Sequence, residues 1–204
     1  MTKPAPRIIS NRLIVMTFLI AVSLPLTVAA DGPIREAVQV IQVPAVYITM
    51  KGLTWIGKGW VLLVLAAGLL AWGIWRKQPL PKTAGTMGIA ALVISGIAGQ
   101  IIKHLIGRPR PRLLDSGAFH LGPSLESGYD SFPSGHAISA FAMAVVLSSV
   151  YPKWRGLWYG AAVLVALTRV YTDAHFASDT VGGAILGIVV AKAALHYHQR
   201  YQAS

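Results

Sequence analysis

The stretch "AGTMGIAALVISGIAGQII", residues 84–102, runs directly into "KHLIGRPRPR", residues 103–112. The first part carries no charge and is close to the roughly 20 residues a helix needs to cross a hydrocarbon core. The second part carries Lys103, Arg108, Arg110 and Arg112, with Gly107 and Pro109 breaking the helical pattern between them. An apolar span that ends on a broken, cationic loop predicts a membrane helix whose end meets water. Five further runs have the same apolar character: about Leu13 to Ala30, Ile56 to Trp75, His136 to Tyr151, Leu157 to Tyr171 and Thr180 to Leu195. The two starting at His136 and Leu157 are short with polar ends, which suits helices buried among others or bordering a wet cavity.

Composition agrees. Of 204 residues, 54% are hydrophobic and only 12% charged, and the mean hydropathy is +0.58, whereas soluble domains carry roughly a quarter charged residues. The sequence contains no cysteine, which excludes a disulfide framework, a zinc-thiolate site and a cysteine nucleophile. A net charge of +11 raises the question of nucleic acid, but placement answers it differently. With a cytoplasmic N-terminus and six spans, the inner segments hold Lys3, Arg7, Arg12, Arg76, Lys77, Lys82, Lys153, Arg155, Lys192 and Arg200 and no acid. That is the positive-inside pattern, and no nucleic-acid partner is implied. The acids Asp31, Glu36, Asp115, Glu126, Asp130, Asp173 and Asp179 all fall outside. The cationic loop of residues 103–112 also falls outside, against the rule, and that exception asks for a local cause.

The first run resembles a signal peptide in ending at "VAADG", with cleavage after Ala30 as one reading. Its length favours an uninterrupted anchor, since signal-peptide cores run about 7 to 15 residues. Beyond it, Ile34, Ala37, Val38 and Ile41 recur at helical spacing and Pro44 ends the pattern, which predicts a short amphipathic helix on the outer surface. No internal repeat or second domain is visible. The expected fold is therefore all-α: a polytopic membrane protein with a six-helix transmembrane bundle and a short interfacial helix, in a single domain over residues 1–204.

Three outer segments carry candidate chemistry. Lys103 and Arg110 converge from a helix end and the following loop. In "SFPSGHA", residues 131–137, Ser134 is a favoured helix cap and Gly135 lets a ligand approach backbone N–H groups at a helix head. In "TRVYTDAHFASD", residues 168–179, Arg169 closes an apolar run, and His175 and Asp179 stand four apart, so that on a helix the carboxylate could hold the imidazole. Each feature also has a plain explanation: headgroup electrostatics for the cations, simple capping for Ser134, a solvated pair for His175 and Asp179. Arg169 is the exception, since a cation at such depth tends to face a functional cavity.

As an ordered set, K-x6-RP at 103–111, PSGH at 133–136 and R-x5-H-x3-D at 169–179 resemble the three-part signature of the type 2 phosphatidic acid phosphatase (PAP2) family, bacterial lipid phosphatase branch. The signature region spans residues 103–179. Thr168 stands where the family has Ser before the Arg of its third motif. The resemblance implies a membrane enzyme, with no metal or cofactor, that removes a terminal phosphate from a lipid. Lys103, Arg110, Ser134, Gly135 and Arg169 would bind the phosphate, His175 would be the nucleophile, Asp179 its partner and His136 the general acid. It further implies a multi-pass protein of the bacterial cytoplasmic (inner) membrane with its site on the periplasmic or extracellular side.

Undecaprenyl diphosphate, phosphatidylglycerophosphate, phosphatidic acid and lipid A 1-phosphate are all suitable substrates on this reading. A non-catalytic lipid-phosphate binder or transporter, and a lipid-to-lipid phosphotransferase, are the alternatives. Binding alone would not need a paired imidazole and carboxylate. The soluble vanadium haloperoxidases share a similar anion pocket, but six membrane runs argue against that chemistry. Arg108 and Arg112 flank the first motif and suit either a second phosphate or a surface role. His104, His120, His196 and His198 match no family position. The six tryptophans fall mostly near span ends, as an aromatic belt would place them.

Overall fold

A computed structural model describes residues 11–114 and 122–202, and of these the side chains of 23–114 and 122–201. Asp115, His120, Lys3 and Arg7 lie outside the described residues. Among the described residues eight α-helices follow one another: α1 (Asn11–Val40), α2 (Pro44–Leu53), α3 (Gly59–Trp75), α4 (Pro79–Ile106), α5 (Pro111–Leu114), α6 (Gly135–Val150), α7 (Arg155–Tyr171) and α8 (Ala177–Gln202). Short 3-10 turns at Thr54–Gly57 and Pro152–Trp154 join α2 to α3 and α6 to α7. No strand occurs among the described residues.

Four of the six apolar runs lie inside single helices, while Ile56 to Trp75 crosses a break at Lys58 and His136 to Tyr151 runs one residue past α6. Spanning length is a stricter matter. Among the described residues, two stretches are long and apolar enough by themselves, Pro79–Leu114 and Ala177–Tyr201, while Pro44–Gly57 and Gly59–Trp75 qualify together across a 46° bend. Helix α6 has only 16 residues, or about 24 Å at 1.5 Å per residue, somewhat less than a hydrocarbon core of roughly 30 Å.

The sequence reading needs one correction at the N-terminal end. The amphipathic stretch around 34–41 is not a separate helix, because α1 runs unbroken through Ala30, Asp31 and on to Val40. Pro44 does not end a helix but opens α2; Pro suits a first helical position because its fixed φ is helical and its missing N–H has no intrahelical partner there anyway.

Helix α6 is the centre of the bundle. It packs against α4, α7 and α8 and is apolar on every side, as a fully surrounded helix should be. Ala137, Ile138, Ala140, Ala142, Met143, Ala144, Val145, Val146 and Leu147 are all buried. Small residues make this close packing possible. A Cβ at Gly187 of α8 would collide with the carbonyl oxygen of Ile138 in α6, and one at Gly183 would lie 2.6 Å from that of Ser134. The head of α6 is therefore held against the head of α8, with α7 beside them and the end of α4 opposite.

Candidate active site

Lys103 lies in the last turn of α4, which ends at Gly107 with φ of 54°, a left-handed cap that glycine adopts without strain. From there the chain turns back over the bundle. Backbone hydrogen bonds fasten the loop at Arg110 N–H to Gly128 O (2.8 Å) and Ser131 N–H to Arg108 O (3.0 Å). Lys103 Nζ is buried and donates to the Asp130 carbonyl. Arg110 donates through Nε and Nη2 to the two carboxylate oxygens of Asp130, both at 2.8 Å. Burial opposes ionisation of Asp130, but the hydrogen bond and charge of Arg110 outweigh it and hold the carboxyl below its ordinary range. Asp130 thus orients both cations of the first motif.

Ser134 and Gly135 form the head of α6. Ser134 occupies the N-cap position with extended backbone, but its hydroxyl makes no capping bond. Instead Ser134 N–H donates to the Asp179 carbonyl at 2.9 Å, which ties the head of α6 to the first turn of α8. Gly135 is exposed, and a Cβ built there meets nothing within 4 Å. Room for a ligand therefore exists directly over the first amides of the helix, where N–H groups lack intrahelical partners.

His175 does not sit on a helix with Asp179, as the spacing suggested; it precedes α8, in the bend that follows α7. The bend closes through Ala174 and His175 N–H groups, which donate to Arg169 O at 3.1 and 3.2 Å. The imidazole is 3% exposed. Its Nδ1 lies 2.8 Å from the Ser131 carbonyl and 3.6 Å from Asp179 Oδ2. A carbonyl can only accept, so Nδ1 carries the proton and Nε2 keeps its lone pair. Burial holds the imidazole down to about 4 against the pull of Asp179, so it is neutral at physiological pH.

Asp179 is fully buried and densely bonded. Oδ2 accepts from Ser131 Oγ at 2.5 Å and Phe176 N–H at 2.9 Å, and Oδ1 from Arg108 Nη1 at 2.7 Å. Arg169 reaches Thr54 through Nη1 at 3.2 Å, and Thr54 in turn pairs with Thr168 at 2.8 Å. The hydroxyl at position 168 is therefore fully buried and braces the arginine's support.

The structure brings Lys103, Arg110, Ser134, His136, Arg169, His175 and Asp179 to one end of the bundle. The charges of Arg169, Lys58 and Arg110 bear on the His136 ring. Three atoms of the motif residues, Ser134 Oγ, His136 Nε2 and Arg169 Nε, are buried without a hydrogen-bond partner. They come from the heads of α6 and the tail of α7, and buried polar atoms are rarely left so. An anion placed among them could accept from all three. Among the described residues, no group of three His, Asp or Glu side chains is arranged to hold a metal ion.

Below this end, Lys103 and His136 also line a cavity of about 670 Å³ that runs between α3, α4 and α6 along Trp60, Leu63, Leu92 and Ile97. Its wall is mostly apolar, with Gln100 and Ser139 the polar residues besides Lys103 and His136.

Sequence reasoning missed Thr54, Asp130 and Ser131, which touch the motif residues from outside the motifs, and Asp31, which is linked to Asp179 through Arg108. Arg108, weighed for a second phosphate, is instead bonded to Asp31 and Asp179 at 2.8 and 2.7 Å. His104 Nδ1 lies 3.1 Å from the Ser124 carbonyl and takes no part in the cluster.

Comparison with known proteins gives a consistent picture. The sequence model of the PAP2 superfamily matches residues 85–203. A lipid A 1-phosphatase of Rhizobium johnstonii is 35% identical over 98 residues, covering 47% of this chain but only 40% of that protein. Phosphatidylglycerophosphatase B of Bacillus subtilis is 28% identical over 180 residues, 79% of this chain and 80% of that one. The crystal structure of a transmembrane PAP2-type phosphatidylglycerolphosphate phosphatase from Bacillus subtilis superposes with a TM-score of 0.62 over 93% of this chain and 96% of the other, at 23% identity. The match to the lipid A 1-phosphatase thus spans less than half of that protein's length, and the likeness to the crystal structure is one of fold.

Proposed function

We propose, starting from the fact that this chain belongs to the PAP2 superfamily, that it is a membrane lipid phosphate phosphatase working through a phosphohistidine. The observation that carries this reading is the trio of buried, partnerless polar atoms, Ser134 Oγ, His136 Nε2 and Arg169 Nε, beside a neutral His175. Donors without acceptors, next to an imidazole with a free lone pair, suit an electron-rich group that both binds and reacts.

Lys103, Arg110 and Arg169 neutralise the nonbridging oxygens, and Ser134 and the Gly135 amide add directional donors. His175 Nε2 attacks phosphorus in line, forming the N–P bond as the bond to the leaving oxygen breaks. That oxygen takes a proton from His136. Asp179 stabilises the positive charge that develops on His175. In the second half, His136 accepts a proton from water as the water oxygen attacks phosphorus; the N–P electron pair returns to Nε2 and inorganic phosphate leaves. The net reaction consumes one water and yields a lipid alcohol (or monophosphate) and phosphate.

The apolar cavity beneath Lys103 and His136 supports a substrate whose tail stays among the helices while its head meets the cations. Relatives named for lipid A 1-phosphate and phosphatidylglycerophosphate support a lipid of that class. We place six spans in the bilayer of a bacterial inner membrane, with the site at the outer face, on the strength of the positive-inside pattern. The test is release of inorganic phosphate by purified protein in detergent from short-chain phosphatidic acid in the presence of EDTA. His175→Ala should reduce release at least about a thousandfold, as removal of a nucleophile does, while leaving the protein folded. Release that survives the substitution removes the nucleophile; release that depends on added metal removes the metal-free pocket.

A further inference from the structure

Arg108 is not part of the three-part signature, and Asp31 lies far upstream of it, yet the two form an ion pair behind the site in which each side chain has further partners. Asp31 belongs to α1 and is 5% exposed. Its Oδ2 accepts from Arg108 Nη2 at 2.8 Å and Ser178 Oγ at 2.5 Å, and its Oδ1 from Ser178 N–H at 2.9 Å. It therefore caps the first turn of α8 from another helix, taking up an N–H that α8 cannot satisfy itself. Arg108 Nη1 continues the chain to Ser178 Oγ and Asp179 Oδ1, both at 2.7 Å, and the guanidinium lies 4.3 Å from the centre of the Phe176 ring.

We infer that Asp31 and Arg108 are positioning residues for the His175–Asp179 pair, with Asp31 preserving the net negative charge that His175 needs behind it during phosphoryl transfer. The inference rests on the phosphatase reading above. An Asp179 paired with Arg108 alone would be a neutral couple, with little net field to stabilise an imidazole that becomes cationic on bonding to phosphorus. Two carboxylates sharing one guanidinium leave one negative charge over. The low polarity of the surroundings makes that charge count, because Asp31, Ser178 and Asp179 are all buried and weakly screened. The orientation of Asp179 does not depend on Arg108: the guanidinium takes Oδ1, while Ser131 Oγ and Phe176 N–H hold Oδ2 beside His175, so Arg108 acts on the pair through its charge. A loop residue and a first-helix residue thereby tune a histidine that neither touches.

Charge balance and mere scaffolding make different predictions for paired substitutions. Asp31→Asn leaves Asp179 neutralised by Arg108, so kcat for phosphate release should fall about tenfold or more, or about 1.4 kcal/mol in the barrier, with KM within about twofold. Asp31→Asn combined with Arg108→Gln removes one charge of each sign and restores the net negative charge, so it should recover at least half of the lost rate on a logarithmic scale. Rapid-quench measurement of the acid-labile phosphoenzyme should show the same order for its formation rate. If Asp31→Asn does not fold, as judged by size exclusion in detergent, the double variant is compared with wild type directly and must stay within about fivefold in kcat. An active wild type with Asp31→Asn at full kcat, or a double variant no better than Asp31→Asn, overturns this inference and leaves the phosphatase reading standing. A wild type that releases no phosphate overturns that reading first, and this one with it.

Discussion

Gly135 is the residue at which packing and chemistry make opposite demands. A methyl group there would meet no protein atom within 4 Å, and alanine is the better helix former by about 1 kcal/mol. Stability alone would therefore favour Ala at the first position of α6. Glycine is explained if the open space is where the phosphate approaches the helix head. Gly135→Ala should leave the thermal midpoint equal or higher while lowering kcat/KM at least about tenfold, a loss of about 1.4 kcal/mol in transition-state binding; thermal unfolding and steady-state kinetics on one preparation check both halves. An unchanged kcat/KM would remove Gly135 from the phosphate site. At this scale the sequence was readable where the residue type itself announces chemistry, as with His175 or Arg169. It left Arg108 between a second phosphate and a surface role and gave no role to Asp31 or Asp130, because their meaning comes from partners elsewhere in the chain, and one acid on an apolar helix looks like any other until its partner is known.

Helices α6 and α8 carry Gly135, His136 and Asp179 of the site, and their separation is set by glycine. A Cβ at Gly187 would strike backbone rather than a side-chain end that could swing away, so Gly187→Ala must move one helix against the other. Overpacking of this kind costs about 1–3 kcal/mol, and for a chain of this size each kcal/mol lowers the midpoint by roughly 2–4 °C. Because Ser134 N–H is bonded to the Asp179 carbonyl across the same interface, the displacement should also lower kcat several-fold. Gly160→Ala on α7, where an added Cβ meets nothing, is the control and should leave kcat unchanged and the midpoint equal or higher. Circular dichroism melts and phosphate release compare the pair; equal behaviour would mean the interface can yield. The helices themselves were legible from their apolar runs. Their limits were not: Pro44 read as a stop and is a start, since proline suits the first turn of a helix as well as the residue beyond its end. Nor could the spacing of His175 and Asp179 reveal that only the second is helical.

Across the whole molecule, topology and electrostatics have to agree, and the absence of cysteine from the sequence makes the question directly testable. With α6 only 16 residues long, its head need not reach the membrane surface, and a site recessed by a few ångströms is where a lipid headgroup lies. On the proposed topology the cations of residues 103–112 sit on the outer side, and their proposed service to the phosphate and the Asp31–Asp179 network accounts for their departure from the charge rule. Glu126, exposed in the loop between α5 and α6, and Lys153, exposed in the turn between α6 and α7, mark the two ends of α6. In intact cells, Glu126→Cys should react with a membrane-impermeant maleimide, whereas Lys153→Cys should react only after the membrane is opened. The reverse pattern would turn the site toward the cytoplasm and leave the four outer cations with the ordinary positive-inside explanation, while labelling of both positions in intact cells would mean that α6 does not cross the bilayer.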